Sequence, residues 1–313
     1  MPFFKRLLTY STIAAVILTT LLLLARLHWF LEMLTHFRLP CALGFLTLAI
    51  LLLLTKSYKQ VIAVSTCLFL QLIPLSHHYL PFTKDDRAGS GPQLKVITFN
   101  VLTSNPNKDQ VLTFLKSENA DLVCLQETST EWLTALKPLK ALYPHSIEYP
   151  RSDNFGLLIL SRHPITSHQL DNNPSLATPY LRAKIDWLGN DLTIINAHPM
   201  PPMRKNAAQS NHATLALIQR HSTQTQNPLI VVGDFNHTAY SHRFNPLKKT
   251  LYDSSQGRGY PATWRRGHPL LALPIDHILY SKDLVCLERT IGERHGSDHS
   301  PIIATLQARS DSE

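Results

Sequence analysis

The first 80 residues of this 313-residue chain hold one carboxylate, Glu32, and three stretches with no Asp, Glu, Lys, Arg or His: Thr9–Ala25, Leu39–Leu54 and Val61–Leu75. So few residues cannot bury that much apolar surface against one another in water, so residues 1–82 are read as a membrane anchor of about three transmembrane helices. Each stretch is at or just below the roughly 17–25 residues that cross a hydrocarbon core. Aromatic flanks at Trp29, Phe30, Tyr58 and Tyr79 can extend them into the interface. The first stretch, behind Lys5 and Arg6, also has the shape of a signal-peptide core, but no A-x-A-type site follows it and two further apolar runs do. Val61–Leu75 contains Gln71 and Pro74, which leaves open that it lies in the interface against the other two.

Charge divides the chain at the same place. Lys5, Arg6, Arg26, Arg38, Lys56 and Lys59 against Glu32 put +5 of the formal +8 in the first 80 residues and leave +3 for the rest. The basicity therefore reads as membrane flanks, not as a nucleic-acid groove. Lys5, Arg6, Lys56 and Lys59 outnumber Arg26 and Arg38 across the first spans, so the positive-inside bias keeps the N-terminus in the cytoplasm. Three spans then carry everything after Leu75 to the outer face of the cell (inner) membrane. Four cysteines without a CxxC pair exclude a thiolate metal module and a disulfide framework, and Cys124 and Cys286 are expected free or buried. Thr83–Gln93 (TKDDRAGSGPQ) has linker composition, which leaves residues 94–313 as one large domain, expected as a monomer.

In that domain short runs rich in Val, Ile and Leu recur, too brief for ordinary helices. Strands are expected at Leu94–Asn100, Asp121–Glu127, Gly156–Ser161, Leu181–Trp187, Leu192–His198, Leu229–Asn236, Asp276–Ser281 and Ile302–Leu306. Helical spacing is visible at Lys108–Glu118 and Lys205–Arg220, while Ser167–Pro179 and Gln256–Pro274 read as irregular surface loops.

Several of the runs end in a residue able to do chemistry. In Val231–Asn236 (VVGDFN), Asp234 and Asn236 stand two apart, which on a strand means one face; the acid can align a water while the amide donates to an oxyanion. An Asx-type turn explains the same letters. In Gly296–Pro301 (GSDHSP), Asp298 could face a cation and His299 a phosphate, with Asp276 holding the imidazole. Asn100, Glu127 and His198 each close an expected strand, and strand ends meet at a rim. Glu127, Asp234 and Asp298 with Asn100 make a hard, oxygen-rich set that suits Mg²⁺ or Mn²⁺ better than zinc.

The order of these motifs resembles the endonuclease/exonuclease/phosphatase superfamily. The resemblance runs from Leu94 to Leu306 and rests on ITFNV (97–101), LQET (125–128), LLILSRHPI (157–165), NAHPMPP (196–202), GDFN (233–236), TW with IDHIL (263–264 and 275–279) and GSDHSPI (296–302). It implies a four-layer α/β sandwich, two packed mixed sheets flanked by helices, with the site at one rim. By the same resemblance, Glu127 with Asn100 falls on the metal position, with Asp298 as a further contact. His198 falls on the phosphate-binding or acid position, Asp234 with Asn236 on the water and phosphate, and His299 with Asp276 on the base or phosphate-stabilising histidine. Arg162, Arg182 and Trp264 are secondary candidates for substrate contact.

The combined expectation is a membrane-anchored, divalent-metal-dependent phosphoesterase, its substrate a lipid-derived or small phosphate ester. The alternatives are a membrane-bound nuclease acting on DNA or RNA, for which the near-neutral domain offers little electrostatic footprint, and a non-catalytic interaction scaffold.

Overall fold

A computed structural model describes residues 2–80, 91–172, 177–268 and 270–309. The expected linker lies outside the described residues up to position 90, and its last residue, Gln93, already opens a strand.

The first region consists of helices α1 (Pro2–Leu23), α2 (Trp29–Leu34), α3 (Arg38–Leu54) and α4 (Tyr58–Tyr79). One 3₁₀ turn, Thr35–Phe37, joins α2 to α3. Three segments are long and apolar enough to cross a membrane: Pro2–Leu23, Trp29–Leu54 and Tyr58–Ser76. The Val61–Leu75 run thus lies inside a full-length helix. Leu8, Ala15, Phe45, Leu52, Val64 and Cys67 form a narrow seam between the helices. Most other large apolar side chains of this region, Ile13, Ile17, Leu46, Ile50, Ile62 and Phe69 among them, point outward and are exposed. In water such a surface would aggregate, whereas a bilayer solvates it. Two of the buried polar groups pair across helices, Arg38 Nη1 donating to Gln71 Oε1 at 2.8 Å.

The second region has twelve strands: β1 (Gln93–Asn100), β2 (Leu122–Gln126), β3 (His145–Tyr149), β4 (Leu157–Ser161), β5 (Ile165–Asp171), β6 (Tyr180–Trp187), β7 (Asn190–Ala197), β8 (Leu229–Asp234), β9 (Tyr252–Asp253), β10 (Asp276–Tyr280), β11 (Leu284–Ile291) and β12 (Ile302–Ala308). They form two six-stranded mixed sheets, β11-β12-β1-β2-β4-β3 and β5-β6-β7-β8-β10-β9. The period of two sorts the side chains. Val96, Cys124, Ile159, Ile194, Ile230, Val232 and Ile278 face inward into the core between the sheets. Ile97, Phe99, Val123 and Leu125 face outward onto α5 (Lys108–Glu118) and α6 (Thr130–Leu136) through Val111, Leu115 and Trp132. Ile195 and Val231 of the second sheet meet Leu215 and Ile218 of α7 (Lys205–Gln224). Helix, sheet, sheet, helix is the four-layer sandwich expected.

All eight expected strands are present with ends moved by one or two residues, and four more accompany them. Residues to Asp171 of the supposed loop Ser167–Pro179 belong to β5, an edge strand most of whose side chains meet solvent, so its sequence lacks an apolar period. Gln256–Pro274 does lack helix and regular strand in its described residues, apart from an isolated bridge at Trp264. Cys124 and Cys286 are free and buried.

Pairing decides where the polar strand ends go. β1 runs parallel to β2 and β7 parallel to β8, while β12 and β10 are antiparallel to β1 and β8. The C-terminal ends of four strands and the starts of two others therefore share one rim.

Candidate active site

Asn100 ends β1, Glu127 follows β2, His198 follows β7 and Asp234 ends β8. Asp276 opens β10 directly opposite Asp234 in the ladder, and His299 lies just before β12. Asn100 ties the two sheets together, its Nδ2 donating to Glu127 Oε1 at 2.9 Å and to Asp234 Oδ2 at 3.1 Å. Two histidines flank the same Asp234 oxygen, His198 Nε2 at 3.4 Å and His299 Nε2 at 3.5 Å. On its other side His299 Nδ1 is 2.9 Å from Asp276 Oδ2. These six side chains, scattered over some two hundred positions, thus meet in one buried place.

The local backbone is forced into this arrangement. Gly233 has φ 139°, and a Cβ there would lie 1.9 Å from the Ala197 carbonyl oxygen, so only glycine lets β8 close on β7. Leu102, Glu127 and Asn236 have positive φ (60°, 63° and 53°), a concentration of costly conformations at the rim. Asn236 corrects the expectation of a shared strand face: β8 stops at Asp234, and the Asn236 N–H donates to Asp234 Oδ1 at 2.9 Å in an Asx turn. That turn brings Asn236 to the pocket, with its Nδ2 bonded to the Pro199 carbonyl at 3.1 Å.

Beneath the rim lies a polar layer that sequence reasoning did not single out. Gln126 Nε2 donates to Thr98 Oγ1 (3.1 Å) and Asn196 Oδ1 (2.7 Å), and Asn196 Nδ2 reaches the carbonyls of Leu125 and Leu158. Its only signal was an amide at the end of each of two otherwise apolar runs. Ser297 adds a brace, donating to the Asn100 carbonyl at 2.8 Å and receiving the His299 N–H at 3.0 Å.

Electrostatics follow from this crowding. Burial opposes charge on His299, but Asp276 and Asp234 overcome it and push its pKa up to about 10. Burial likewise acts against the Asp234 carboxylate, yet His299 and His198 hold it down at about 2. Asp276 is raised, first by burial, with His299 opposing and Asp234 across the ladder adding to the rise. His198 is raised against burial by its hydrogen bond to Asp234. The crowding thus favours charge on His299 and on Asp234 and opposes it on Asp276.

Asp234, Asp276 and His299 each offer a donor atom within 4.8 Å of the others, close enough to hold a metal ion. The residues expected at the metal sit beside them. Glu127 accepts from Asn100 and from the Thr103 N–H (3.1 Å). Asp298, half-exposed, takes Trp264 Nε1 at 2.9 Å on one oxygen and lies 4.0 Å from His299 on the other. The oxygens of Glu127 and Asp298 are of the hard kind that suits a divalent cation, while Asn100 Oδ1 accepts from the Leu102 N–H at 3.1 Å. A protonated His299 fits poorly as a ligand, because both ring nitrogens then carry hydrogens. His198 Nδ1 is buried with no hydrogen-bond partner among the described residues.

Of the secondary candidates, Trp264 lines the pocket, whereas Arg162 pairs with Asp121 and Asn119, and Arg182 with Asp171 and Gln169, away from it. The pocket, about 620 Å³, has walls that were not foreseen: Phe155, Met203, Leu271 and Ile275 from the sandwich, and Met33, His36 and Phe37 from the helical region.

Comparison with solved structures gives the same fold. Humanized D. rerio TDP2 carrying 14 mutations aligns with a TM-score of 0.61 at 19% identity, over 69% of this chain and 99% of that one. D. rerio TDP2 complexed with a single-strand DNA product gives 0.60 at 18%, over 69% and 99%. An endonuclease/exonuclease/phosphatase from Beutenbergia cavernae gives 0.59 at 18%, over 70% and 72%. No curated protein matches the sequence. The model of the Endonuclease/Exonuclease/phosphatase family matches residues 97–299, nearly the whole sandwich and well over half of the chain, and the chain therefore belongs to that family.

Proposed function

We propose that this protein is a membrane-anchored phosphoesterase that uses a divalent cation and water to hydrolyse a lipid-derived or small phosphate ester. The observation that carries this is His299, held at 2.9 Å by Asp276 and facing, with His198, the single Asp234 oxygen. In the reaction a water oxygen forms a bond to phosphorus and the ester P–O bond breaks. One water proton passes to Asp234, and the leaving alkoxide takes one proton from solvent. Asp234, ionised by its two histidine neighbours, aligns the water and takes its proton. His299, charged, stabilises the phosphate oxygens, and Asp276 keeps its ring oriented. His198 and Asn236 bind the remaining oxygens. Glu127, Asn100 and Asp298 would hold Mg²⁺ or Mn²⁺, which when bound neutralises charge developing on the phosphate. Three apolar helices and the charge bias around them support a multi-pass protein of the inner membrane with the sandwich on the extracytoplasmic side.

The test uses the intact protein in detergent with Mg²⁺ and bis-p-nitrophenyl phosphate. Nitrophenolate release should stop with chelation, return with Mg²⁺ or Mn²⁺, and fall by about a thousandfold in Asp234→Ala and in His299→Ala. Turnover no greater than that of the double variant would leave a non-catalytic scaffold. A nuclease is the second reading, favoured by the neighbour that carries a single-strand DNA product. Plasmid DNA and phospholipid vesicles offered side by side separate the two, and turnover of DNA alone would sink the lipid preference. A cytoplasm-dependent reporter fused after Glu313 should stay dark.

A further inference from the structure

The helical region does more than stand beneath the sandwich. Glu32, the one carboxylate of the first 80 residues, is 2% exposed and accepts from Ser241 Oγ at 2.6 Å and from the Arg243 N–H at 3.1 Å. One turn on, His36 Nδ1 lies 2.9 Å from Thr238 Oγ1, and its carbonyl accepts from Tyr240 at 2.8 Å. Tyr240 itself inserts between Ala42 of α3 and Leu75 of α4. All of these partners belong to residues 238–243, the segment that follows Asn236 at the site.

This docking fixes the direction of the neighbouring side chains. Met33 near the end of α2 and His36 and Phe37 in the 3₁₀ turn that follows all line the catalytic pocket, together with Trp264 and Leu271. The depth of Met33 and Phe37 follows from helix geometry. Trp29–Leu54 has 26 residues. At about 1.5 Å per residue it is longer than a hydrocarbon core of about 30 Å by some six residues. Counted back from Leu54 in a bilayer, α3 and the 3₁₀ turn would fill the core to near Thr35, which would set Met33 and Phe37 close to the boundary of acyl chains and head groups. The sandwich exposes few large apolar side chains among its described residues, yet Met203 on the pocket and Leu270 beside Leu271 are two of them. Arg265, stacked over Trp264 at 4.7 Å, adds a cation on the pocket.

We propose that the substrate is a membrane lipid bearing a phosphate ester, and that Met33 and Phe37 of the anchor are specificity-determining residues whose face receives the lipid's hydrocarbon part. This rests on the phosphoesterase reading and narrows it. The phosphate sits under His299 and His198, the chain passes the wall made by the anchor, and the lipid need not leave the leaflet to react. A water-soluble ester uses the same catalytic groups but not the wall.

The experiment compares two p-nitrophenyl phosphodiesters, one with a methyl and one with a hexadecyl substituent, on the intact protein in vesicles of zwitterionic phospholipid. The readout is the ratio of kcat/KM for hexadecyl over methyl ester. Relative to wild type, Met33→Ala and Phe37→Ala should lower that ratio by about tenfold, Met33→Leu and Phe37→Leu should restore most of it, and Leu188→Ala, at the opposite rim, should leave it unchanged. A ratio that stays at the wild-type value in both alanine variants overturns the inference, as does hydrolysis of the methyl ester and single-stranded DNA without the hexadecyl ester; both leave the phosphoesterase reading standing. No turnover of either ester overturns that reading and this inference with it.

Discussion

The two regions of this molecule treat the same side chains in opposite ways. Ile230 in the sandwich is fully buried, whereas Ile62 in α4 is 69% exposed. The sandwich closes its apolar residues between four layers, so its order is set by packing alone. The helices hold together along a narrow seam and leave the rest of their apolar surface exposed, a surface that suits an apolar solvent. The difference teaches where stability resides: in the sandwich each core side chain carries it, and in the helices mainly the seam and the few internal polar contacts do.

The comparison breaks most readily on a matched pair of substitutions. Ile230→Ala should destabilise the sandwich by about 2–5 kcal/mol, through lost transfer energy and the cavity left between the sheets. Ile62→Ala, which trades one lipid contact for another, should cost under about 0.5 kcal/mol. Thermal unfolding of the protein in nanodiscs, followed by tryptophan fluorescence, reads both. Equal shifts would mean that the outer face of α4 is buried against protein and that the helical region is no membrane bundle.

Legibility in the sequence follows the same division. Strands buried on both faces, such as Leu157–Ser161 and Leu229–Asp234, announce themselves as apolar runs. Edge strands β3 and β5 do not, because solvent takes most of their side chains and erases the period. Asn100, Glu127, His198 and Asp234 stand out because each closes or follows an apolar run and Asp276 because it opens one, and sheet geometry gathers such ends, whereas His299 was marked only by its Asp-His step ahead of the last strand. The turn at Asn236 was not, since Asp-Phe-Asn fits a strand as well as an Asx turn. The wall made by Met33 and Phe37 was illegible for a stronger reason: it depends on a contact across some two hundred residues. Glu32 was its one trace, an acid in an otherwise carboxylate-free quarter.

A smaller effect is expected at the junction where the regions meet. Glu32→Ala takes the acceptor from Ser241 Oγ and leaves the Arg243 N–H only its 3.2 Å bond to Ser241 Oγ, which costs about 1–3 kcal/mol. Because the sandwich has its own core, the loss should appear as loosened docking: faster protease cleavage within residues 238–243 and a several-fold fall in turnover, with the main unfolding transition little moved. Cleavage at the wild-type rate would show that Glu32 does not latch the two regions.

The smallest effect, and the one that best separates junction from core, is acid. His237 is buried between His36 (ring centroids 5.0 Å apart) and His212 (5.9 Å), and neither of its ring nitrogens has a hydrogen-bond partner among the described residues. Burial, reinforced by His36 and His212, holds its pKa well below the ordinary histidine value, and burial with Arg243 lowers that of His212 to about 4. Unfolded, both take a proton near pH 6.5; folded, they resist it. The unfolded state therefore binds more protons as pH falls from 6.5 towards 4, and stability declines through that window while staying flat above it. For His237 alone the loss at pH 6 is about 1 kcal/mol. His36, His212 and His277 oppose an added charge on His237 while the Phe235 backbone favours it, and Arg243 opposes charge on His212. Protease nicking of residues 238–243 in nanodiscs at pH 7.5, 6 and 5 should rise as the pH drops, and His237→Phe should flatten the rise. A steep acid response that survives His237→Phe would assign it to His212, whose pKa is also lowered, and not to His198 or His299, whose raised pKa values make them bind protons more tightly in the folded state; His237 would then not be the acid-sensitive group of the junction.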